Sequence, residues 1–109
     1  MYLVINDIKQ LVKPIREQLE RDCIDEGYFE PNERVTSPPF CESISEKVTE
    51  LLVANGYDAV RVVGTFANSG LHCWTTVGNL VVDVTVDQFG ERYPQILVEP
   101  IANYSQYKS

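Results

Sequence analysis

The run from Leu71 to Val86 is the feature that most constrains the fold of this chain. Two segments rich in β-branched residues, LHCWTTV and LVVDVTV, flank the pair Gly78-Asn79. A two-residue connection of this kind between such segments is a strong signal for a β-hairpin. The turn pairs Val77 with Leu80. This first pair determines which residues lie opposite each other along the rest of the two strands. The sequence therefore predicts antiparallel strands with a defined register.

The predicted register divides the hairpin side chains between two faces, because successive strand residues point in opposite directions. One face is apolar and carries Leu71, Cys73, Val77, Val82, Val84 and Val86. The other carries His72, Trp74, Thr76, Val81, Asp83 and Thr85. On this face His72 and Asp83 are diagonal neighbours, close enough for the carboxylate to accept a hydrogen bond from the imidazole. Asp87 is the second choice of carboxylate, and an ordinary solvent-exposed face is the alternative interpretation.

Two helices are predicted before the hairpin. Apolar residues at three- and four-residue steps indicate a helix over residues 6–21, although Pro14 lies inside it. A second helix is predicted over residues 41–55, with Gly56 at the position of a left-handed C-terminal cap. Between the helices, residues 22–40 have no sustained period and contain three prolines. We expect a long irregular segment there.

The remaining strands complete an α+β pattern. The segment AVRVVGTF, residues 59–66, predicts a strand before the hairpin, and LVVDVTV predicts the hairpin's return strand over residues 80–86. QILVEPIANY, residues 95–104, predicts a last strand, with Pro100 at a sheet edge. The order predicts one domain over residues 1–109, with helices packed on one side of an antiparallel sheet.

Composition and charge argue against several classes of partner. The chain has 16 acidic and 9 basic residues, a net charge of −7, and its Lys and Arg residues are scattered. Phosphate binding requires clustered basic side chains, so we expect neither nucleic acid nor a membrane surface as a partner. One histidine and three cysteines without ligand spacing predict no metal and no cofactor. The cysteine usage and the absence of a signal-peptide pattern predict a reduced, cytoplasmic protein.

Cys41 is the candidate nucleophile among the three cysteines. It opens the second predicted helix, where unpaired backbone N–H groups and the helix dipole favour a thiolate. Cys23 lies at the end of a helix, where the dipole has the opposite sign, and Cys73 points to the apolar face of the hairpin. The alternative for Cys41 is a small buried apolar residue without chemistry.

The chain order Cys41, His72, Asp83, with the cysteine at a helix start and the other two on adjacent strands, resembles the papain-like fold. The likeness is greatest to its transglutaminase-like branch. HCW looks like the His-x-Trp of the histidine strand in that branch. VVDVTVDQF is similar to the Asp-x-Thr-x-x-Gln-Phe segment of small bacterial members of the YunG type. The resemblance covers residues 40–89 and implies a minimal papain-like core, with Cys41 as nucleophile, His72 as general base and Asp83 as the acid that orients the imidazole.

The activity that the resemblance implies is cysteine-dependent acyl transfer on a protein or peptide amide, by hydrolysis, deamidation or transamidation. Two alternatives stay open. The first is a catalytically inactive papain-like module that binds proteins as an inhibitor or adaptor. The second is a purely structural, hydrogen-bonded cluster of His72, Trp74 and Asp83.

The remaining site residues are expected around the nucleophile. Papain-like proteases place an oxyanion glutamine shortly before the cysteine, and this sequence has no glutamine between Glu20 and Cys41. The expected side-chain donors in its place are Asn32, Thr36 or Ser37, beside the backbone N–H of the cysteine. Trp74 is expected either to wall the substrate site or to fill the core beside it.

Overall fold

The strands form one antiparallel sheet around the hairpin. The computed structural model describes residues 2–30, 33–35, 37, 40–67 and 70–109. Within these residues the strands are β1 (Ala59–Phe66), β2 (Leu71–Val77), β3 (Leu80–Asp83), β4 (Leu97–Pro100) and β5 (Tyr107–Lys108). They lie in the order β4-β3-β2-β1-β5, and every neighbouring pair is antiparallel. The predicted α+β class is therefore confirmed.

The hairpin has the register that its two-residue turn predicts. Val77 pairs with Leu80, and the ladder continues outward to the pair of Thr75 and Val82. Gly78 adopts a φ of 59°, in the left-handed region that the tight turn requires. The bounds of β1 and β2 are those predicted from the sequence.

Strand β3 is shorter than the sequence predicts, because it ends at Asp83 and not at residue 86. The Asp83 carboxylate accepts hydrogen bonds from the backbone N–H of Thr85 at 2.9 Å and from its hydroxyl at 3.1 Å. A short polar side chain that bonds the local backbone in this way competes with sheet pairing. The chain turns here into a short 3-10 helix, Val86–Phe89.

The single strand predicted over residues 95–104 is also wrong in extent. Strand β4 ends at Pro100, at the edge of the sheet as predicted, and a 3-10 turn over Ile101–Asn103 follows it. The chain then crosses to the opposite edge, where the unpredicted strand β5 pairs Tyr107 with Phe66 of β1. This long crossing lets the C-terminal segment cover one face of the sheet.

Two helices lie before the sheet in sequence, and the first is longer than predicted. Helix α1 (Tyr2–Asp25) extends past the predicted range 6–21 and continues through Pro14. It ends where Gly27, at a φ of 85°, donates its N–H to the carbonyl of Ile24. This is a glycine-dependent helix end. Among the described residues, no helix has both the length and the apolar character needed to cross a membrane.

Helix α2 (Cys41–Ala54) matches the predicted helix to within a residue. Gly56 has a φ of 88° and donates to the carbonyl of Val53, which confirms the predicted left-handed cap. The buried face of α2 consists of Ile44, Ser45, Val48 and Leu52. Burying this stripe fixes α2 against the apolar face of the hairpin.

The sheet separates two hydrophobic clusters. On one side, both helices pack on the apolar hairpin face in a cluster that includes Ile8, Val12, Val48, Leu52, Leu80, Val82, Val84 and Val98. On the other side, the C-terminal segment covers a cluster of Phe66, Trp74, Val81, Val86, Tyr93, Leu97 and Tyr107. The face that carries His72 and Asp83 is therefore a second core, and its interpretation as a solvent-exposed face is wrong.

Candidate functional site

His72 and Asp83 form a buried hydrogen-bonded pair in the second core. The His72 Nε2 atom lies 2.6 Å from the Asp83 carboxylate, as the hairpin register predicts. His72 is 0% exposed and Asp83 is 3% exposed. A pair this deeply enclosed interacts in a low dielectric, so each partner depends strongly on the other.

The Asp83 carboxylate is saturated by hydrogen-bond donors. One oxygen accepts the two bonds from Thr85, and the other accepts from His72 and from the hydroxyl of Tyr107 at 2.8 Å. Burial, together with the charge of Asp83, raises the pKa of Tyr107 far above its ordinary value. Tyr107 is therefore a fixed donor at neutral pH. Four donors offset the cost of burying this carboxylate.

The imidazole of His72 is enclosed by aromatic rings. The Phe89 ring lies edge-on at 4.9 Å between centroids, and the Trp74 ring lies stacked at 5.8 Å. The Nδ1 atom of His72 has one long contact, 3.5 Å, to the side-chain nitrogen of Gln88. With Gln88 donating to Nδ1, the ring hydrogen lies on Nε2 and is donated to Asp83. Both ring nitrogens thus have partners inside the second core.

Cys41 lies at a cavity on the helix-covered side of the sheet. It is the first residue of α2, and Phe40 before it makes no side-chain cap bond to the helix. Cys41 is partly exposed and lines a cavity of about 290 Å³. We call this space the Cys41 cavity; its walls are Cys41, Glu42, Arg61, Val63, Leu71, His72 and Cys73.

The structure places Cys41 and the His72 imidazole on opposite faces of β2. The hydroxyl of Thr75 donates to the carbonyl of Ser45 at 3.2 Å, which shows that α2 lies on the Thr75 face of the strand. Cys73 shares that face, because it is two residues from Thr75. Burial, and then the nearby Cys41 thiol, raise the pKa of Cys73. The neighbour of Cys41 is thus Cys73. His72 also borders the cavity, because it lies in the strand between Leu71 and Cys73, whose side chains point into the cavity.

The structure therefore brings together two of the three predicted catalytic residues. The His72 ring bonds to Asp83 and Gln88, and no hydrogen bond to Cys41 is found within the described ranges. All three residues nevertheless lie at the same end of the sheet, where β2 begins, β3 ends and α2 begins. Their roles in catalysis stay predictions.

Trp74 fills the core and does not line the Cys41 cavity. It is 1% exposed and belongs to the cluster on the His72 side of the sheet. Its Nε1 atom is buried without a hydrogen-bond partner in the described part of the chain. Of its two predicted roles, the structure supports filling the core beside the histidine.

Of the candidate oxyanion donors, the one that the structure describes does not line the Cys41 cavity. Ser37 is buried, and its backbone N–H donates to the Asp87 carboxylate at 3.2 Å. Asn32 and Thr36 lie outside the described residues. Asp87, the second choice of carboxylate for His72, is bound instead by Arg16.

Arg16 and Asp87 form a second buried polar cluster, which the sequence does not reveal. The guanidinium makes a bidentate ion pair with the carboxylate, at 2.7 and 2.8 Å. It also donates to the carbonyls of Val84 and Val35 at 2.8 and 2.7 Å. Burial alone would lower the pKa of Arg16, but its bonds to Asp87 and Glu20 raise it. This cluster ties α1 and the irregular segment to the chain after β3.

The register places Thr85 on the His72 face but does not identify it as a site residue. Gln88 and Tyr107 around the histidine pair, and Arg16 in the second cluster, were not predicted as site residues. Gln88 lies in the segment VVDVTVDQF, and the family resemblance of that segment is the only feature of the sequence that indicates this region. Tyr107 and Arg16 are remote in sequence from their partners, and nothing local indicates the contact. Among the described residues, no group of three or more His, Cys, Asp and Glu side chains is placed to hold a metal ion.

Comparison with protein-family models, with curated proteins and with solved structures finds no match to this chain. The class that fold and site define is a small α+β domain with a buried His-Asp pair on one face of its sheet. On the other face, a cavity holds a partly exposed thiol. The likeness to papain-like proteins stays a prediction from the sequence.

Proposed function

We propose that this chain is a protein-binding module on a papain-like scaffold, with the Cys41 cavity as its binding site and without hydrolytic activity. The observation that carries the proposal is the separation of thiol and imidazole. The His72 ring is buried among aromatic rings, with Asp83 at its Nε2 atom and Gln88 at its Nδ1 atom. Cys41 faces Cys73 across the helix–sheet interface. A general base must lie within hydrogen-bond reach of the proton that it removes, and among the described residues no hydrogen bond joins His72 to Cys41.

The Cys41 cavity has the surface of a binding site for an apolar segment. Leu71 is 78% exposed and Val63 is 54% exposed, although both lie on the face that the helices cover elsewhere. Phe40, next to Cys41, is 40% exposed. Clustered exposed apolar side chains beside a concave surface are typical of interaction sites. Arg61 supplies one cation at the cavity wall for a polar group of the partner.

Selection of peptides tests this binding site. A random peptide library displayed on phage is selected on the full chain, and single clones are then measured against variants. Leu71→Asp is expected to weaken binding about tenfold or more, because it places a charge against the apolar segment. Val53→Asp is the matched control, since Val53 is 55% exposed on α2 and does not line the cavity.

The selected sequences themselves also carry information. Apolar peptides whose binding survives Val53→Asp and is lost in Leu71→Asp support the proposal. Peptides that bind both variants equally use another surface, and a selection that enriches no sequence contradicts a peptide-binding function.

The second candidate is the cysteine-dependent acyl-transfer enzyme. The observation that favours it is the His72–Asp83 bond, which uses Nε2 and leaves Nδ1 as the nitrogen available to a nucleophile. In this reaction Nδ1 takes the Cys41 proton and the thiolate attacks an amide carbonyl, whose oxyanion the Cys41 N–H stabilises. The C–N bond then breaks as the imidazole gives the proton to the leaving amine, and water or another amine releases the acyl group from the thioester. The reaction requires the Cys41 sulfur to replace Gln88 at Nδ1.

Thiol labelling separates the two candidates. Trypsin places Cys41 on residues 35–47 and Cys73 on residues 62–92, so the labelling rate with iodoacetamide is measured for each by mass spectrometry. His72→Gln keeps an N–H donor for Asp83 but removes the base. For a binding module we expect the Cys41 rate to change by no more than about twofold. An acyl-transfer centre predicts a fall of roughly a hundredfold.

The Cys23 peptide, residues 22–34, serves as the internal control of this experiment. Cys23 is 1% exposed in the helix-side core, so its labelling reports global opening of the domain. A selective loss of Cys41 reactivity with unchanged Cys23 labelling would show that His72 activates Cys41, which contradicts the non-catalytic proposal and favours the acyl-transfer candidate.

A further inference from the structure

We propose that Cys41 and Cys73 form a redox pair, which a hydroperoxide converts into a disulfide joining the start of α2 to β2. The pair is a modification site that does not depend on the function proposed above. Both thiols are free and line the same cavity. A disulfide between them would anchor the first turn of α2 to β2.

The alignment of α2 along β2 places these two cysteines opposite each other. Thr75 is hydrogen-bonded both to the Ser45 carbonyl and to the Thr49 hydroxyl, at 3.2 and 2.9 Å. Cys41 is four residues before Ser45, or about 6 Å along the helix, and Cys73 is two residues before Thr75, or roughly 6.6 Å along the strand. The helix and the strand run in the same direction. Because these two distances are nearly equal, the two cysteines lie next to each other.

The surroundings of the two thiols differ in the way that a two-step oxidation requires. Cys41 is partly exposed, lines the cavity and is the first residue of α2. Cys73 is 8% exposed behind it. A small oxidant therefore reaches Cys41 first, and Cys73 resolves the product. Burial and the neighbouring thiol raise the pKa of Cys73, and oxidation of Cys41 removes the second of these causes.

The chemistry balances with hydrogen peroxide as the oxidant. The Cys41 thiolate attacks one peroxide oxygen, breaks the O–O bond and forms a sulfenic acid, while the leaving hydroxide takes a proton to become water. The Cys73 sulfur then attacks the Cys41 sulfur, displaces hydroxide and gives up its own proton, so a second water forms. Two thiols and one peroxide become one disulfide and two waters. A dithiol reductant reverses the change.

Peptide mapping of the peroxide-treated full chain tests the proposal. The protein is freed of reductant, exposed to hydrogen peroxide, blocked with iodoacetamide and digested with trypsin without reduction. We expect a linked product of residues 35–47 and 62–92 that has lost two hydrogen atoms and disappears with dithiothreitol. The protein should remain monomeric on a non-reducing gel. The peptide of Cys23 should remain unlinked.

Single substitutions make the result specific. Cys73→Ser should stop the reaction at a Cys41 sulfenic acid, which dimedone captures, whereas the matched control Cys23→Ser should leave the linked product unchanged. The proposal is overturned by a disulfide that contains Cys23 or joins two copies of the chain. It is also overturned if wild-type Cys41 stays reduced, or passes to the sulfinic acid without any linked product.

Discussion

Asp83→Ala is expected to lower the free energy of unfolding by about 3–5 kcal/mol. The substitution removes the acceptor of four buried hydrogen bonds, two from Thr85 and one each from His72 and Tyr107. Each buried donor left without an acceptor costs about 1–3 kcal/mol. Rearrangement of the side chains around the space left by Asp83 recovers part of this cost. A loss of this size is a large fraction of the stability of a small domain.

Urea denaturation followed by circular dichroism measures this loss. Asp58→Ala is the matched control, because Asp58 is exposed before β1 and its removal should change stability by less than about 0.5 kcal/mol. Tyr107→Phe removes one of the four donors and should cost about 1 kcal/mol. If Asp83→Ala costs no more than Asp58→Ala, the carboxylate does not organise the second core. Its pairing with His72 would then need another explanation.

The hairpin is the part of the fold that local sequence determines. Gly78 and Asn79 leave room for a two-residue turn only, and this turn fixes the pairs that place His72 beside Asp83. Helix α2 is equally local, since its apolar stripe and Gly56 define both its buried face and its end. At the hairpin turn and at the Gly56 cap the prediction and the structure agree, whereas the helix end at Gly27 was not predicted.

The second core was not predicted, because the side chains that cover it are far from the hairpin in sequence. A row of polar side chains on one face of a hairpin is often a solvent-exposed face, and within this hairpin only Trp74 argues against that interpretation. The covering side chains include Phe89, Tyr93 and Tyr107, which follow no helical or strand period. Tyr107 contacts Asp83 across 24 residues, so only the folded chain reveals the contact.

The position of Cys41 shows how two local predictions constrain a third. Helix α2 must bury Ile44 and Val48 against an apolar surface, and the apolar face of the hairpin is the one that carries Cys73. Alternation along β2 then directs the His72 ring to the other face. The helix periodicity and the hairpin register together predict Cys73 as the neighbour of Cys41. The assignment of Cys41, His72 and Asp83 as a catalytic triad stays a prediction, and it requires the Cys41 sulfur to replace Gln88 at the Nδ1 atom of His72.

Arg16→Met is the second substitution with a large expected effect, a loss of about 3–5 kcal/mol of unfolding free energy. Arg16 is 1% exposed, and its guanidinium binds Asp87 bidentately and bonds to the Val35 and Val84 carbonyls. Methionine replaces the aliphatic part of the arginine side chain but leaves the buried Asp87 carboxylate without a counter-charge. Arg21→Met on the exposed side of α1 is the control, and we expect it to cost less than about 0.5 kcal/mol.

A double substitution distinguishes the ion pair from simple packing of the Arg16 side chain. If the unpaired charge causes the loss, Arg16→Met combined with Asp87→Leu should recover a substantial part of it, because the remaining side chains are apolar. If lost packing is the cause, the two substitutions should be additive. Urea unfolding of the two single variants and the double variant gives the coupling energy. The ion pair predicts a coupling of more than about 1 kcal/mol, and additivity within about 0.5 kcal/mol contradicts it.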